Sequence, residues 1–140
     1  MTIEIIANAP KVFAFVRKYT PVNWVVGTQA LGLMRDGQLV AGVLYEGFNG
    51  HNVWMHVGAE PGGRWMTRMY LKTCFYYPFV TLGCSRVSGY VEAWNMQARR
   101  FDEHLGFKQE AVLKGAASDG GDVILYAMRR EECKYVRGFV

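Results

Sequence analysis

The sequence has no run of about 18 uncharged apolar residues, so no membrane-spanning helix is expected in it. Met1–Ala9 carries neither a basic start nor a long apolar stretch and does not read as a signal peptide. Cysteine is scarce: Cys74, Cys84 and Cys133 are odd in number and form no C-x-x-C pair. That argues against a disulfide framework, leaves no metal-ligand spacing, and makes a metal site unexpected. Three reduced thiols fit a cytoplasmic setting. The chain also lacks repeats, low-complexity tracts, an interdomain linker and a basic tail. Its positive residues are dispersed, with doublets only at Arg99-Arg100 and Arg129-Arg130. A net charge of +4 spread in this way suits an anionic ligand such as a nucleotide phosphate, and a nucleic-acid partner is not expected.

What is present is material for one core. Half of the 140 residues (51%) are apolar and 20% are charged, which predicts a single domain over residues 1–140. Thr2–Ile6 reads as a short strand. Asn8 can cap a helix whose first turn holds Pro10, whose apolar stripe is Val12, Phe13, Phe15 and Val16, and which Pro21 stops. Asp36-Gly37 and Asn49-Gly50 are tight-turn dipeptides. They divide Ala30–Arg35, Gln38–Gly47 and His51–Ala59 into an antiparallel meander. A long helix is expected from Arg64 to Leu82, kinked at Pro78 and ended by Gly83. Arg86–Ala93 is the next strand, Asn95–His104 a helix closed by Gly106, and Phe107–Lys114 and Asp122–Arg129 the last two strands. This order predicts a mixed α/β sheet.

The segment from Leu82 to Met128 carries a resemblance. Val91, Asn95, Ala98, Leu105, Gly106 and Phe107 stand at the spacing of a strand V-x-x-x-N, a helix N-x-x-[AS] and a closing L-G-F. That pattern resembles acetyltransferases of the GNAT superfamily. Tyr77–Val87, Arg100 and Tyr126–Arg129 further resemble its ribosomal-protein N-acetyltransferase branch. The resemblance implies a GNAT-like α/β fold: a mixed, mostly antiparallel sheet of about seven strands with helices on both faces. It implies an acetyl-CoA cosubstrate and direct attack of a primary amine (a protein N-terminus, a lysine or a small amine) on the thioester. The acceptor is not readable from the sequence, and a homodimer is left open.

The same resemblance names a site. The family's phosphate loop, [QR]-x-x-G-x-[GA], falls on Gly62, Gly63, Arg64, Trp65, Met66 and Thr67, with Trp65 in place of a glycine. Gly62 and Gly63 retain backbone freedom, and Arg64 and Arg68 add charge at a helix N-terminus. Trp65 has three readings: pointing outward, stacking on the cofactor or blocking it. Asn95 resembles the asparagine that bonds the pantetheine arm, and equally reads as a helix cap. Arg100 is placed near the phosphates. An oxyanion-donating amide is expected near Val57–Ala59, with Gly58 accommodating a bulge. A base six residues before Val57 would be His51, which also reads as a solvated residue at the start of a hairpin strand. The family's acid, a tyrosine in the last helix, is replaced by Asp102; an ionised Asp cannot donate that proton, so Tyr90 and Tyr45 become the substitutes. The altered loop and the missing tyrosine keep a second reading open, a degenerate module that binds CoA or a protein partner without turnover.

Overall fold

The structure is a computed structural model, and it describes residues 2–62, 64–65 and 67–139. Seven strands form one sheet: β1 (Ile3–Ile6), β2 (Gln29–Arg35), β3 (Gln38–Glu46), β4 (Asn52–Ala59), β5 (Arg86–Glu92), β6 (Lys108–Leu113) and β7 (Val123–Arg129). Their order across the sheet is β1-β2-β3-β4-β5-β7-β6, antiparallel throughout except between β4 and β5. Three helices cover it: α1 (Ala9–Val16), α2 (Arg68–Tyr76) and α3 (Met96–Leu105). No described helix is long and apolar enough to cross a membrane.

The two turn dipeptides behave differently. Asp36 and Gly37 both take positive φ, and Arg35 pairs directly with Gln38 across a two-residue turn. Asn49-Gly50 does not make such a turn. The Asn49 side chain instead accepts the amides of His51 and Asn52, which lengthens the loop to residues 47–51. β4 therefore begins at Asn52, and Glu46 pairs with Trp54. The bulge expected at Gly58 is not there: the β3–β4 register runs unbroken from Ala41↔Ala59 to Glu46↔Trp54.

Gly58 has another reason to be glycine. Gly32, Gly42 and Gly58 face one another across β2, β3 and β4. A Cβ on Gly42 would lie 2.6 Å from Val12, and one on Gly58 would lie 2.9 Å from the Val16 Cα. The three glycines form a flat seat for α1, which buries Val12, Phe15 and Val16 against Ala30 and Leu44. On the opposite face α2 and α3 cover the main core, which includes Tyr45, Met55, Phe75, Phe79, Val87, Tyr126 and Met128. Two buried tyrosines fasten α2 to the sheet, as Tyr70 donates to the Leu31 carbonyl and Tyr45 to the Cys74 carbonyl.

α2 is shorter than its apolar pattern predicts. It starts at Arg68, capped by the Thr67 hydroxyl, and passes at Tyr77–Thr81 into a π-helical turn closed by a Leu82 N–H to Tyr77 carbonyl bond. The wider turn accommodates Pro78, which cannot donate and would clash in an ordinary helical turn. Two short 3-10 turns after β7, Arg130–Glu132 and Lys134–Val136, have no counterpart in the sequence reading.

Candidate active site

β4 and β5 are hydrogen-bonded only where Asn52–Trp54 meets Arg86–Ser88. Beyond that point β4 stays with β3 and β5 stays with β7, so the sheet opens as a fork towards the carboxyl ends of both strands. Strand alternation tells which backbone groups face the opening. The His51 carbonyl accepts from Ser85 and Arg86 on the β5 side, and Glu60 N–H donates to Val40 on the β3 side. Odd residues therefore present their amides to the fork, namely Val57 and Ala59. Gly58, even, turns its amide towards β3.

A narrow cleft at the mouth of the fork is lined by Val57, Gly58 and Ala59 of β4, Asn95, Gln97, Ala98 and Phe101 of the α3 end, and Tyr19. Asn95 caps α3 by accepting the Ala98 amide, and its own amide donates to the Tyr19 carbonyl 3.3 Å away. The cap thus also ties the segment after α1 to α3 across the cleft. Arg99 is spent on structure, donating to the Tyr126 hydroxyl and the Ala93 carbonyl, whereas Arg100 is exposed.

Of the loop residues, Gly63 and Met66 lie outside the described residues. Gly62 is exposed at φ 111°, and Arg64 and Arg68 are exposed. Thr67 is the α2 N-cap. The first turn of α2 leaves backbone amides without helical partners, a partial positive charge to which the nearby Arg64 and Arg68 add. Trp65 points inward. It is 1% exposed and packs edge-on against Phe101 at 5.3 Å and Tyr70 at 6.5 Å, with its indole N–H unpartnered. It neither faces solvent nor stands free to stack on a ligand at the surface.

The two faces of the fork carry different chemistry. On the α1 face, His56 Nε2 lies 3.3 Å from the Glu46 carboxylate, and its ring meets Tyr90 edge-on at 4.9 Å. Burial holds His56 below its ordinary pKa of 6.5, against the opposing pull of Glu46, which favours a neutral imidazole. Burial, with Glu46 and Glu92 behind it, raises Tyr90, so its hydroxyl keeps its proton. A cavity of about 510 Å³ adjoins this cluster, lined by residues 17–23 with Tyr90, Glu92, Trp94 and Ser118. Hydrogen bonds from Ser118 and Trp94 lower the pKa of Glu92, which is anionic at the rim. On the α2–α3 face, Asp102 looks onto Gly89: a Cβ there would lie 3.7 Å from Asp102 Oδ2 and 3.4 Å from the Met55 carbonyl oxygen.

The structure does not bring His51 to this site. His51 is exposed at the closed end of the fork, six residues before Val57, or roughly 20 Å along the strand. The reason is the direction of β4: His51 enters at the end bonded to β5, and the fork opens only beyond Trp54. Tyr45 is also removed from the site, buried under α2 with its hydroxyl on Cys74. The pairing of Glu46 with His56 escaped the sequence reading, although the two form a same-face diagonal pair once the β3–β4 register is known. Among the described residues, no group of three or more His, Cys, Asp or Glu is arranged to hold a metal.

A single parallel pair that opens inside an otherwise antiparallel sheet, with a helix N-terminus beyond the first strand, is the GNAT arrangement. The chain has the fold of the GNAT superfamily. Spermidine/spermine N-acetyltransferase SpeG from Vibrio cholerae, solved with manganese ions, superposes with a TM-score of 0.72 at 13% identity, covering 92% of this chain and 93% of that one. A probable acetyltransferase superposes with a TM-score of 0.65 at 18% identity, over 76% of this chain and 63% of its own. In sequence, an uncharacterized N-acetyltransferase of Methanocaldococcus jannaschii is 30% identical over 101 residues, which span 71% of this chain and 65% of the relative. No family model matches the chain.

Proposed function

We propose that this GNAT-fold chain is an N-acetyltransferase that moves the acetyl group of acetyl-CoA to a primary amine by direct attack. The observation that carries this reading is the fork itself. It turns the amides of Val57 and Ala59 towards its opening and carries a buried His–Glu pair on the α1 face. The cofactor phosphates sit at the α2 N-terminus with Gly62, Arg64 and Arg68, and Arg100 approaches from α3. Asn95, Ala98 and Phe101 flank the arm. The Val57 or Ala59 amide polarises the thioester carbonyl as negative charge grows on its oxygen.

The amine enters from the cavity beside Tyr90. An ammonium is drawn to anionic Glu92, while Trp24 and Trp94 supply exposed aromatic surface. It must lose a proton before attack, because a free amine has a pKa of about 10. His56 is the base this structure offers, with Glu46 orienting the imidazole and stabilising the imidazolium, and Tyr90 passing the proton to it. His51 is not retained as the base. The acceptor class stays as wide as a protein N-terminus, a lysine or a small amine; the SpeG likeness puts polyamines among the small amines to try. The ribosomal branch rests on the Tyr77–Val87, Arg100 and Tyr126–Arg129 resemblance alone. Three free, buried thiols support a cytoplasmic location.

The alternative, a module that binds CoA without turnover, rests on the altered loop with its Trp65 and on the missing tyrosine of the last helix. The inward packing of Trp65 supports the enzyme reading instead, because the indole does not fill the loop. The test is direct. Acetyl-CoA should raise Tm, and thiol should appear with at least one member of an amine panel. His56→Gln should then lower kcat by roughly 10²–10⁴ at unchanged acetyl-CoA affinity. Binding without thiol release on any amine would establish the non-catalytic module; a His56→Gln variant at full speed would remove the base.

A further inference from the structure

We propose that the groove between α2 and the segment after β7 binds a single strand of nucleic acid. The groove shares no lining residue with the cleft at the fork, and the inference stands apart from the acetyltransferase reading. One wall is α2 with Arg68 and Lys72. The other carries Lys134, Tyr135, Arg137 and Phe139, and the two enclose about 840 Å³.

The positive residues are dispersed along the chain, but the fold collects four of them here. All four cations are exposed, and no carboxylate lines the groove. Among the described residues none of the four is in an ion pair. The net charge of the chain is +4, so these four side chains hold an excess equal to that of the whole molecule, and the rest balances to zero. Charge gathered in this way draws a polyanion.

The groove suits a nucleic-acid strand better than other polyanions. Arg68 and Lys72 stand one turn apart on the same face of α2, roughly 6 Å along its axis. That is close to the interval between successive phosphates of an unstacked strand. Lys134 and Arg137 repeat the charge on the facing wall, so a backbone track has cations on both sides. Between them is a ring for a base. Phe139 is 49% exposed, and Tyr76 steadies it edge-on at 5.4 Å. The Lys72 ammonium lies 4.7 Å from the Phe139 centroid. This is a weak surface contact on a flexible stem, so Lys72 can yield the ring to a base and take a phosphate instead. Tyr135, stacked on Phe75 at 5.1 Å, backs the same wall. A base on Phe139 then stacks as bases do on the aromatic platforms of single-strand binders. An acidic peptide would satisfy the cations and leave the ring unused. A duplex has no unstacked base to offer, and a flat bilayer cannot enter a groove with charge on both walls.

The test uses the full chain and a fluorescein-labelled oligothymidylate of about 12 nucleotides, read by anisotropy. Log affinity should fall linearly with log salt, with a slope of roughly −2 to −3 for three or four phosphate contacts. Lys72→Gln and Lys134→Gln should each weaken binding and reduce that slope by about 0.7. Phe139→Ala should weaken binding roughly 5–150-fold and leave the slope unchanged. Oligouridylate should bind as oligothymidylate does, because the contacts are to phosphate and base. Lys11→Gln removes the same charge from α1, on the opposite face of the sheet, and should change little. Absence of binding by the wild type at low salt overturns the proposal. So does a loss in Lys11→Gln equal to that in Lys72→Gln, which would mean that net charge alone is read. Polyglutamate, phosphatidylserine vesicles or a matching duplex binding as tightly as the single strand would give the groove to another partner. The Tm shift produced by acetyl-CoA should survive in Lys72→Gln and Lys134→Gln; its loss in step with oligonucleotide binding would make the groove part of the cofactor site and end the proposal.

Discussion

Two titrating residues, Asp102 and His56, make stability depend on pH in opposite directions. Asp102 binds its proton more tightly folded than unfolded, since its pKa rises from 3.8 to about 7. Its contribution is fully present below pH 3.8 and is lost as pH rises to about 7. The gap corresponds to about 4 kcal/mol at 1.36 kcal/mol per pKa step. His56 has a lowered pKa, so its contribution is present above 6.5 and is lost as pH falls through the lowered value. Denaturant unfolding of Asp102→Asn should therefore show a variant more stable than wild type at pH 8, with the difference shrinking towards pH 4. An equal difference at both ends would mean that Asp102 is ionised in the folded state. Neither residue's state was legible in the sequence. Strand alternation gives the face of His56, but Glu46 comes to that face only through the β3–β4 register, which the Asx turn at Asn49 sets. Asp102 could be counted to its helical position but not to its desolvation, which comes from strands far away in the chain. Asn95, by contrast, was legible as the α3 cap, because a cap is a local fact, while its bond to the Tyr19 carbonyl was not.

At the level of elements, the local signals carried the fold and the contacts between elements carried the surprises. Asn8, Thr67 and Asn95 all cap the helices that follow them. Gly106 closes α3 in the left-handed region at φ 109°. The meander, the strands and their order with the helices follow from turn dipeptides and apolar spacing, whereas helices on both faces came with the family resemblance. What could not be read was the alignment of Gly32, Gly42 and Gly58, because it depends on the registers of two strand pairs at once. Trp65 is a similar case: in the chain it sits among glycines and cations, yet it is a core residue between α2 and α3. The glycine seat can be tested. In Gly58→Ala the new Cβ meets the Val16 backbone, not a flexible side chain, so α1 or β4 has to shift. Overpacking of this kind costs about 1–3 kcal/mol, which equilibrium unfolding would register. A Gly58→Ala protein as stable as wild type would show that α1 does not rest on the seat as described.

The molecule as a whole is two half-sheets, β1–β4 and β5–β7–β6, joined directly along only the short Asn52–Trp54 stretch of β4. The rest of the junction is made by α2 and α3 on one face, and at the cleft mouth by the Asn95 amide on Tyr19. A cofactor arm laid in the fork occupies the gap where strand hydrogen bonds are missing, so it acts as a brace between halves. Acetyl-CoA at a hundred times its Kd should stabilise the fold by about 2.7 kcal/mol wherever it binds the native state. Only a local readout separates the fork from the surface loop. Backbone exchange should also slow in a pattern set by strand alternation: Val57 and Ala59, whose amides face the fork, should gain protection. Gly58, already turned towards β3, should change less, and Asn52–Trp54 at the closed end least. Exchange measured residue by residue by NMR, with and without acetyl-CoA, would resolve the alternation. Protection confined to the start of α2 would mean that the phosphates bind while the arm stays outside. Slowing at Gly58 with none at Val57 or Ala59 would put the oxyanion-binding amide on the other parity, and with it the whole orientation of the thioester in the fork.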